Sequence, residues 1–238
     1  MGNTVLRLRK LVSGITNPVY RHALKHGVGA SIEHGPAFSN LEFDCILDVG
    51  ANKGQFALFA RSRFPNARIF SFEPLPRAAA KFDLVFANDP RIKLVRAAVS
   101  KARGTLTMHV TEHDDSSSAL SIGNAQREIF NSREVEQCEV PCGPLGDFIA
   151  DGDLGDRNLL KIDVQGFELE VLRGAEAMLD RFAAIYCELS FVELYVGQPL
   201  AKEIIDFLAG RGYRLSGTFN TTLSSGGQPV QADALFLR

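Results

Sequence analysis

Short apolar runs alternate with longer amphipathic stretches from about Asp44 to the C-terminus of the chain. The apolar runs have the length of buried strands and lie at 45–49, 67–72, 91–99, 158–163 and 182–189, with two more in YRLSGT and ADALFLR. We expect the third of these strands to end near Arg96. Stretches with helical spacing of apolar residues lie at 53–63, 76–87, 167–179 and 199–210. This alternation predicts an α/β fold in which helices wrap a parallel sheet.

The pattern breaks between the third and the fourth predicted strands. TLTMHV at 105–110 alternates like an antiparallel strand, and we expect EQCEV at 136–140 to pair back to it. The polar stretch at 111–124 between them has neither a helical nor a strand period. Because long irregular inserts in compact domains are usually functional or disordered, we interpret this β-hairpin insert as a lid over the substrate.

The N-terminal 40 residues differ in charge from the rest of the chain. They carry a net charge of +4, whereas the whole chain of 238 residues carries −2. We predict a helical extension over 1–40, with helices at 4–12 and 18–27, ahead of one domain at 41–238. A basic segment of this kind suits an anionic partner, a membrane surface or self-association into a homo-oligomer, and a solvated helix face is the simpler interpretation.

Composition excludes several classes of protein. Apolar residues make up 45% and charged residues 23%, which is typical of a globular domain. The net charge does not favour nucleic-acid binding, and no apolar run has the length that spans a bilayer. Four scattered cysteines, of which Cys138 and Cys142 form a lone C-x3-C pair, indicate reduced thiols rather than a zinc site. We therefore expect a cytoplasmic protein.

The strongest local signal is ILDVGANKGQFALFAR at 46–61, an apolar strand that turns directly into a helix. Gly50 and Gly54 allow the backbone to approach a ligand closely, and the helix N-terminus beyond them offers free N–H groups. Such a terminus suits a phosphate or a carboxylate. The loop lacks the G-x-G-x-x-G spacing of dinucleotide-binding folds, which disfavours a pyrophosphate ligand.

Two acidic residues follow other predicted strands. Glu73, in SFEP at 71–74, lies about 20 residues beyond the glycine loop, where a carboxylate can accept both hydroxyls of a ribose. Pro74 then fixes the turn into the next helix. Asp163 ends a strand expected beside the first, at the crevice where open sheets bind ligands. A carboxylate at a buried strand end is costly without a function.

These motifs together resemble the FkbM family of methyltransferases. The resemblance rests on D-V-G-A-N-x-G-Q-F, F-E-P, K-I-D-x-x-G-x-E and a terminal D-A-L-F, and runs from about His22 to the C-terminus. It implies a Rossmann-like fold with a seven-stranded, mostly parallel sheet and helices on both faces. It also implies S-adenosyl-L-methionine as donor, S-adenosyl-L-homocysteine as product, and methylation of a hydroxyl on a sugar or polyketide-like small molecule.

The resemblance also assigns roles to residues. Glu73 would hold the ribose, Asp163 would lie near the sulfonium and the acceptor, and Gln165 and Phe167 stand where members often carry Glu and His. The adenine would lie beside Ala98 and Val99, after the third strand. The methionine part would lie against the glycine loop and the residues that follow it, namely Asp48, Gly50, Ala51, Asn52, Gly54, Gln55 and Phe56.

An alcohol acceptor must lose its proton as the new carbon–oxygen bond forms, so a base within hydrogen-bond reach is expected. Asp163 is the first candidate, and His109 and His113, in or beside the predicted lid, are the second. A divalent metal held by Asp163 and Glu188 could acidify the hydroxyl instead, although we do not favour it.

Other classes of protein use a similar sheet. An NAD(P)-dependent oxidoreductase is disfavoured by the missing third glycine of the loop. A non-catalytic scaffold that binds S-adenosylmethionine would keep the fold without the reaction. A nucleic-acid methyltransferase is disfavoured by the acidic body of the chain.

Overall fold

The computed structural model describes residues 14, 17–112 and 114–238. The helix predicted at 4–12 lies outside the described residues. One seven-stranded sheet has the order β3-β2-β1-β7-β8-β10-β9, and only β10 is antiparallel to its neighbours. The strands are β1 (Cys45–Val49), β2 (Arg68–Phe72), β3 (Ile92–Val95), β7 (Asn158–Ile162), β8 (Phe182–Ser190), β9 (Arg214–Leu223) and β10 (Pro229–Leu237). The predicted α/β fold with a seven-stranded, mostly parallel sheet is confirmed.

Helices cover both faces of this sheet. Ile46 of β1 packs into a core formed with α1, α2 and α3, whereas its neighbour Leu47 packs into a core formed with α5 and α6. Because side chains alternate between faces and both faces are covered, the central strands read as continuous apolar runs. The helices are α1 (Pro18–Lys25), α2 (Gln55–Arg63), α3 (Pro76–Phe86), α4 (Asn124–Phe130), α5 (Glu168–Gly174) and α6 (Ala201–Ala209).

A second, three-stranded sheet begins just after the third strand of the main sheet. As predicted, that third strand ends near Arg96: β3 ends at Val95, and the chain leaves the main sheet at Arg96, whose guanidinium pairs with Asp83 of α3. The next strand, β4 (Ala98–Val99), pairs in parallel with β6 (Glu134–Gly143). The antiparallel pairing of β5 (Gly104–Thr111) with β6 confirms the predicted hairpin. The polar stretch between them leads into α4, which the periodicity did not indicate.

The described part of the N-terminal segment packs against α2 and the sheet. Helix α1 begins after Asn17, whose side chain accepts a hydrogen bond of 3.0 Å from the Val19 N–H. A 3₁₀ helix at Ile32–Phe38 then places Phe38, fully buried, against Tyr186 of β8. In the described part of the chain, no helix is both long and apolar enough to cross a membrane.

We predict that Gly174→Ala destabilises the fold. A Cβ at Gly174, the last residue of α5, would lie 2.4 Å from the carbonyl oxygen of Ser100 in the connection between β4 and β5 of the small sheet. Because backbone cannot move aside cheaply, the substitution should lower the free energy of unfolding by about 1–3 kcal/mol, measured by urea denaturation. Gly152→Ala is the control, since a Cβ there has open space around it. Equal stability of the two variants would contradict this packing.

Candidate active site

A cavity of about 430 Å³ opens where the carboxyl ends of the central strands meet, a volume typical of small-molecule sites. Its walls come from the glycine loop after β1, the turn after β2, β4 and the small sheet, the turn after β7, and the ends of β8, β9 and β10. The predicted cofactor residues that line it are Gly50, Ala51, Asn52, Gln55, Phe56, Glu73, Pro74, Ala98, Val99 and Asp163.

The glycine loop is held in one conformation by backbone contacts. The N–H groups of Gly50 and Ala51 both donate to the carbonyl of Phe72, at 3.1 and 3.0 Å. Gly50 has φ of +80°, and a Cβ there would lie 1.8 Å from the carbonyl oxygen of Asp163, so only glycine fits. Gly54, with φ of +92°, packs its Cα against the ring of Phe86 and does not itself line the cavity.

Glu73 connects the loop to the turn after β2. Its Oε2 accepts a hydrogen bond of 2.9 Å from the Asn52 N–H, and its Oε1 accepts one of 2.7 Å from the Leu75 N–H. Burial raises the pKa of Glu73 to about 7, although these two hydrogen bonds oppose that rise. The Glu73 carboxylate is buried and held by two backbone N–H groups, and it lines the cavity. It is therefore suited to accept hydrogen bonds from a bound polar group.

Asp48 forms a buried ion pair with Lys161, a residue that the sequence analysis did not single out. The Lys161 Nζ lies 3.0 Å from Oδ1 of Asp48 and 3.8 Å from Oδ2 of Asp163, and donates to the carbonyl of Gly50 at 3.2 Å. Burial alone would lower the pKa of Lys161, but the two carboxylates raise it overall. Asp48 is fully buried and lies beneath the loop without lining the cavity. The sequence did offer a signal for this ion pair, because Lys161 lies within an otherwise apolar predicted strand.

Asp163 and Glu188 face each other across the carboxyl ends of β7 and β8, with Gln165 between them. The Nε2 of Gln165 donates to Oδ1 of Asp163 at 3.0 Å and to Oε2 of Glu188 at 3.2 Å, and the Tyr195 hydroxyl donates to its Oε1 at 2.9 Å. Burial and the nearby carboxylates raise the pKa of Glu188 well above its usual value. A single amide thus holds both carboxylates in place.

Glu168 supports the turn that presents these groups. Its Oε1 accepts hydrogen bonds of 3.1 Å from the N–H groups of both Val164 and Gly166, and burial raises its pKa to about 7. Within this turn Gln165 has φ of +56° and Gly166 has φ of +97°. We therefore assign Glu168 to the support of a strained turn, since it is buried and does not line the cavity.

A second polar cluster, which the sequence analysis did not recognise as such, contributes His34, Asn220 and Asp233 to the cavity wall. Nδ1 of His34 is 3.0 Å from the hydroxyl of Tyr186 and 3.3 Å from Oδ2 of Asp233, and Nδ2 of Asn220 donates to the same Asp233 oxygen at 2.7 Å. Despite burial, hydrogen bonds from His34 and Asn220 hold the pKa of Asp233 below its usual value. The cluster joins residues far apart in sequence, which no local motif could reveal.

The histidines predicted as alternative bases are not brought to the cavity. His109, on β5, has its Nδ1 2.9 Å from Oε2 of Glu134 and its Nε2 3.3 Å from the Ser121 hydroxyl, and it does not line the cavity. His113 lies outside the described residues. From the predicted lid, Asp115, Ser117 and Ala119 line the cavity. Among the described residues, no group of three or more His, Cys, Asp or Glu side chains is arranged to hold a metal ion.

The fold and the site together define a class of protein. A seven-stranded sheet with one antiparallel strand near its edge, a glycine turn after β1 and a buried acid after β2 characterise the Rossmann-like methyltransferases that use S-adenosylmethionine. The sequence pattern described as "Methyltransferase FkbM domain" matches residues 48–215, which is more than half of the chain. The chain belongs to this family.

Curated relatives carry related names. The chain is 29% identical over 209 residues to the 2-O-methyltransferase NoeI of Sinorhizobium fredii (strain NBRC 101917 / NGR234), covering 85% of this chain and 83% of that protein. It is 28% identical over 198 residues to the 31-O-demethyl-FK506 methyltransferase FkbM of Streptomyces tacrolimicus, covering 71% of this chain and 72% of that protein. It is also 25% identical over 144 residues to Methyltransferase 1 of Beauveria bassiana (strain ARSEF 2860), covering 55% and 58%.

We predict that Lys161→Met is more damaging alone than together with Asp48→Asn. Removing Lys161 leaves Asp48 buried and unpaired, which should lower the free energy of unfolding by about 3–5 kcal/mol. The double variant also removes the charge of Asp48 and should therefore recover much of the lost stability. A double-mutant cycle of urea denaturation measurements tests this. Strictly additive losses would show that the two side chains do not interact.

Proposed function

We propose that this methyltransferase transfers a methyl group from S-adenosylmethionine to a hydroxyl of a sugar or natural-product-type small molecule. The observation that carries the proposal is the single cavity wall in which the glycine loop, Glu73 and Asp163 converge. The names of two relatives, a 2-O-methyltransferase and a 31-O-demethyl-FK506 methyltransferase, support oxygen as the methylated atom.

The residues of the cavity fit S-adenosylmethionine. Buried side-chain oxygens of Ser31 and Asn52, two residues that line the cavity, have no hydrogen-bond partner within the described part of the chain. Buried polar atoms are almost always satisfied, so these two oxygens support a polar ligand at this position. Ala98 and Val99 offer an apolar wall for the adenine, and Glu73 offers a carboxylate for the ribose hydroxyls.

S-adenosylmethionine supplies a methyl group that is already activated by its sulfonium, so the protein mainly has to position the two reactants. Positioning of this kind can contribute roughly 7–11 kcal/mol to a reaction barrier. We propose that Asp163, held by Gln165 and facing Lys161, stabilises the positive charge of the bound donor and orients the acceptor. Glu188, Asn220, Thr222 and Gln231 add polar groups to the same cavity, as an acceptor with several hydroxyls requires.

We predict that S-adenosylhomocysteine binds, that NADH does not, and that Glu73→Ala weakens the first by about tenfold or more. Hydroxyl donors favour the ionised form of Glu73, whose pKa is about 7 in the free protein. Binding should therefore release a proton and tighten as the pH rises through 7. Calorimetric titration in buffers of different ionisation enthalpy measures both effects.

Glu73→Gln is the matched control for this pH dependence, because it keeps an acceptor oxygen but cannot titrate. Its affinity should stay nearly constant between about pH 6 and 8. Unchanged binding by Glu73→Ala would contradict the assignment of the ribose, and an absence of binding by the folded wild-type protein would favour the non-catalytic scaffold.

We predict that the protein methylates a sugar hydroxyl. The assay offers radiolabelled S-adenosylmethionine with methyl glycosides of glucose, mannose, fucose and rhamnose, and with catechol as a phenolic comparison. Asp163→Asn should keep much of its S-adenosylhomocysteine affinity and lose turnover by about 100-fold or more, because the carboxylate orients the acceptor oxygen for in-line attack on the methyl group. Transfer to catechol alone would overturn the sugar-type acceptor.

A further inference from the structure

We propose that His34 accepts the proton of the acceptor hydroxyl during methyl transfer, with Asp233 and Tyr186 as the residues that position its ring. This inference rests on the proposed function, because it names the base that O-methylation of an alcohol requires. His34 lies on the 3₁₀ helix before β1, and Asp233 lies on β10 near the C-terminus.

The ring of His34 is fixed from three sides. Its Nδ1 faces the Tyr186 hydroxyl at 3.0 Å and the Asp233 carboxylate at 3.3 Å. Its ring meets that of Phe56 edge to face, with centroids 5.4 Å apart. Asn220 donates to the same carboxylate and so holds it toward the imidazole. An imidazole oriented by a carboxylate on one nitrogen is the arrangement by which enzymes prepare the other nitrogen as a base.

The second nitrogen of His34 is available for that task. The Asn220 Nδ2 lies 3.2 Å from Nδ1 but donates to Asp233 at the shorter distance of 2.7 Å. Because a carboxylate can only accept a hydrogen bond, the pairing with Asp233 favours the tautomer with its proton on Nδ1. Nε2 then carries a lone pair, and within the described part of the chain it has no hydrogen-bond partner. Both His34 and Asp233 line the cavity, and each side chain is only 14% exposed.

The sheet places His34 beside the groups that hold the reactants. Lys161 of β7 pairs in register with Tyr186 of β8, whose hydroxyl contacts His34. Glu188, two residues further along β8 and on the same face, pairs with Asp233 of β10. The His34 ring therefore lies on the face of the sheet that carries Lys161 and Glu188, close to Asp163.

The other candidate bases fit this task less well. Both oxygens of Asp163 face donors, with Gln165 at 3.0 Å on one side and the Lys161 ammonium at 3.8 Å on the other. His109 has hydrogen-bond partners at both ring nitrogens and lies away from the cavity. An imidazole also titrates nearer to neutral pH than an ordinary carboxylate, which makes it the stronger base.

In the proposed step, the acceptor oxygen forms a bond to the methyl carbon as the carbon–sulfur bond breaks, and the electron pair of that bond stays on sulfur. The hydroxyl proton passes to Nε2 of His34. The resulting imidazolium is neutralised by Asp233, and the proton is then released to water. No further reactant is needed, because the sulfonium loses its positive charge as the proton is released.

The test compares His34→Ala with the wild-type protein, using the methyl glycoside that is methylated fastest in the panel above. Loss of a general base should lower kcat by roughly 10²–10⁴-fold. The affinity for S-adenosylhomocysteine should stay within about threefold of wild type, measured by calorimetry. Added imidazole should restore part of the turnover, because it can occupy the space of the missing ring and accept the proton.

Two further variants separate catalysis from folding. His22→Ala is the matched control, since this histidine is exposed on α1 and does not line the cavity. Asp233→Asn keeps the shape of the positioning residue but removes its charge, so kcat should fall with little change in KM. The midpoint of the rising limb of the kcat profile should also move, because the imidazolium loses its partner.

The rising limb of the kcat profile has to be distinguished from the titration of the other ionisable groups around the His34 ring. They come from the 3₁₀ helix, β1, β7, β8 and β10: Glu33, Asp48, Lys161, Tyr186 and Asp233. Selective ¹³C labelling of histidine gives the imidazole titration directly by NMR, independently of turnover. The His34 signal is identified by its loss in His34→Ala, and its behaviour in the free protein is compared with the kcat/KM profile, which reports the free enzyme.

The outcomes distinguish the two proposals. Loss of turnover with intact S-adenosylhomocysteine binding and rescue by imidazole supports His34 as the base. Near-wild-type turnover by His34→Ala, or a loss that imidazole does not relieve while both variants fold normally, overturns His34 and leaves the proposed function standing. A wild-type protein that binds S-adenosylhomocysteine but methylates none of the glycosides overturns the sugar-type acceptor and, with it, this inference.

Discussion

The buried ion pair between Asp48 and Lys161 is the constraint on which the site depends. A lysine between apolar strands is tolerated only when its charge is compensated, and here two carboxylates and the Gly50 carbonyl surround it. The same ammonium therefore joins the end of β1, the glycine loop and the end of β7. Because the loop is tied to β2 through the Phe72 carbonyl as well, the three central strands present their ends as one rigid surface.

Two sets of polar groups line the cavity beside this rigid surface. Glu73 and the loop are fixed by hydrogen bonds, so their polar atoms can meet a ligand without movement of the backbone. His34, Asn220 and Asp233 form a second network of polar side chains in the same cavity wall. Preorganised polar groups of this kind favour a reaction because they need no reorientation as charge develops.

Much of this architecture could be read from the sequence, since sheet positions buried on both faces produce apolar runs and the glycine turn has a local signature. The end of the third strand near Arg96 was also predicted, but the pairing of Ala98 and Val99 with β6 was not, because it joins residues far apart in sequence. The motif residues around Asp163 were found because they are close together in sequence.

The residues that sequence reasoning missed share a physical cause. His34, Tyr186 and Asp233 come together only through the packing of a 3₁₀ helix on β8 and β10, and the D-A-L-F motif that contains Asp233 does not reveal the other two. Lys161 was quoted within a motif, but its role depends on the register that places it beside Asp48. These contacts depend on which strands and helices pack together, and residue type alone does not reveal that packing.

The two departures from the family pattern fit this arrangement. Gln165 is neutral, so it can donate to both Asp163 and Glu188, whereas a glutamate there would add a third negative charge to a crowded site. Phe167, which lines the cavity where many members carry histidine, offers no proton acceptor. An imidazole nevertheless lines the cavity through His34, on the 3₁₀ helix before β1. The base that we propose would therefore come from the segment before β1 and not from the turn after β7.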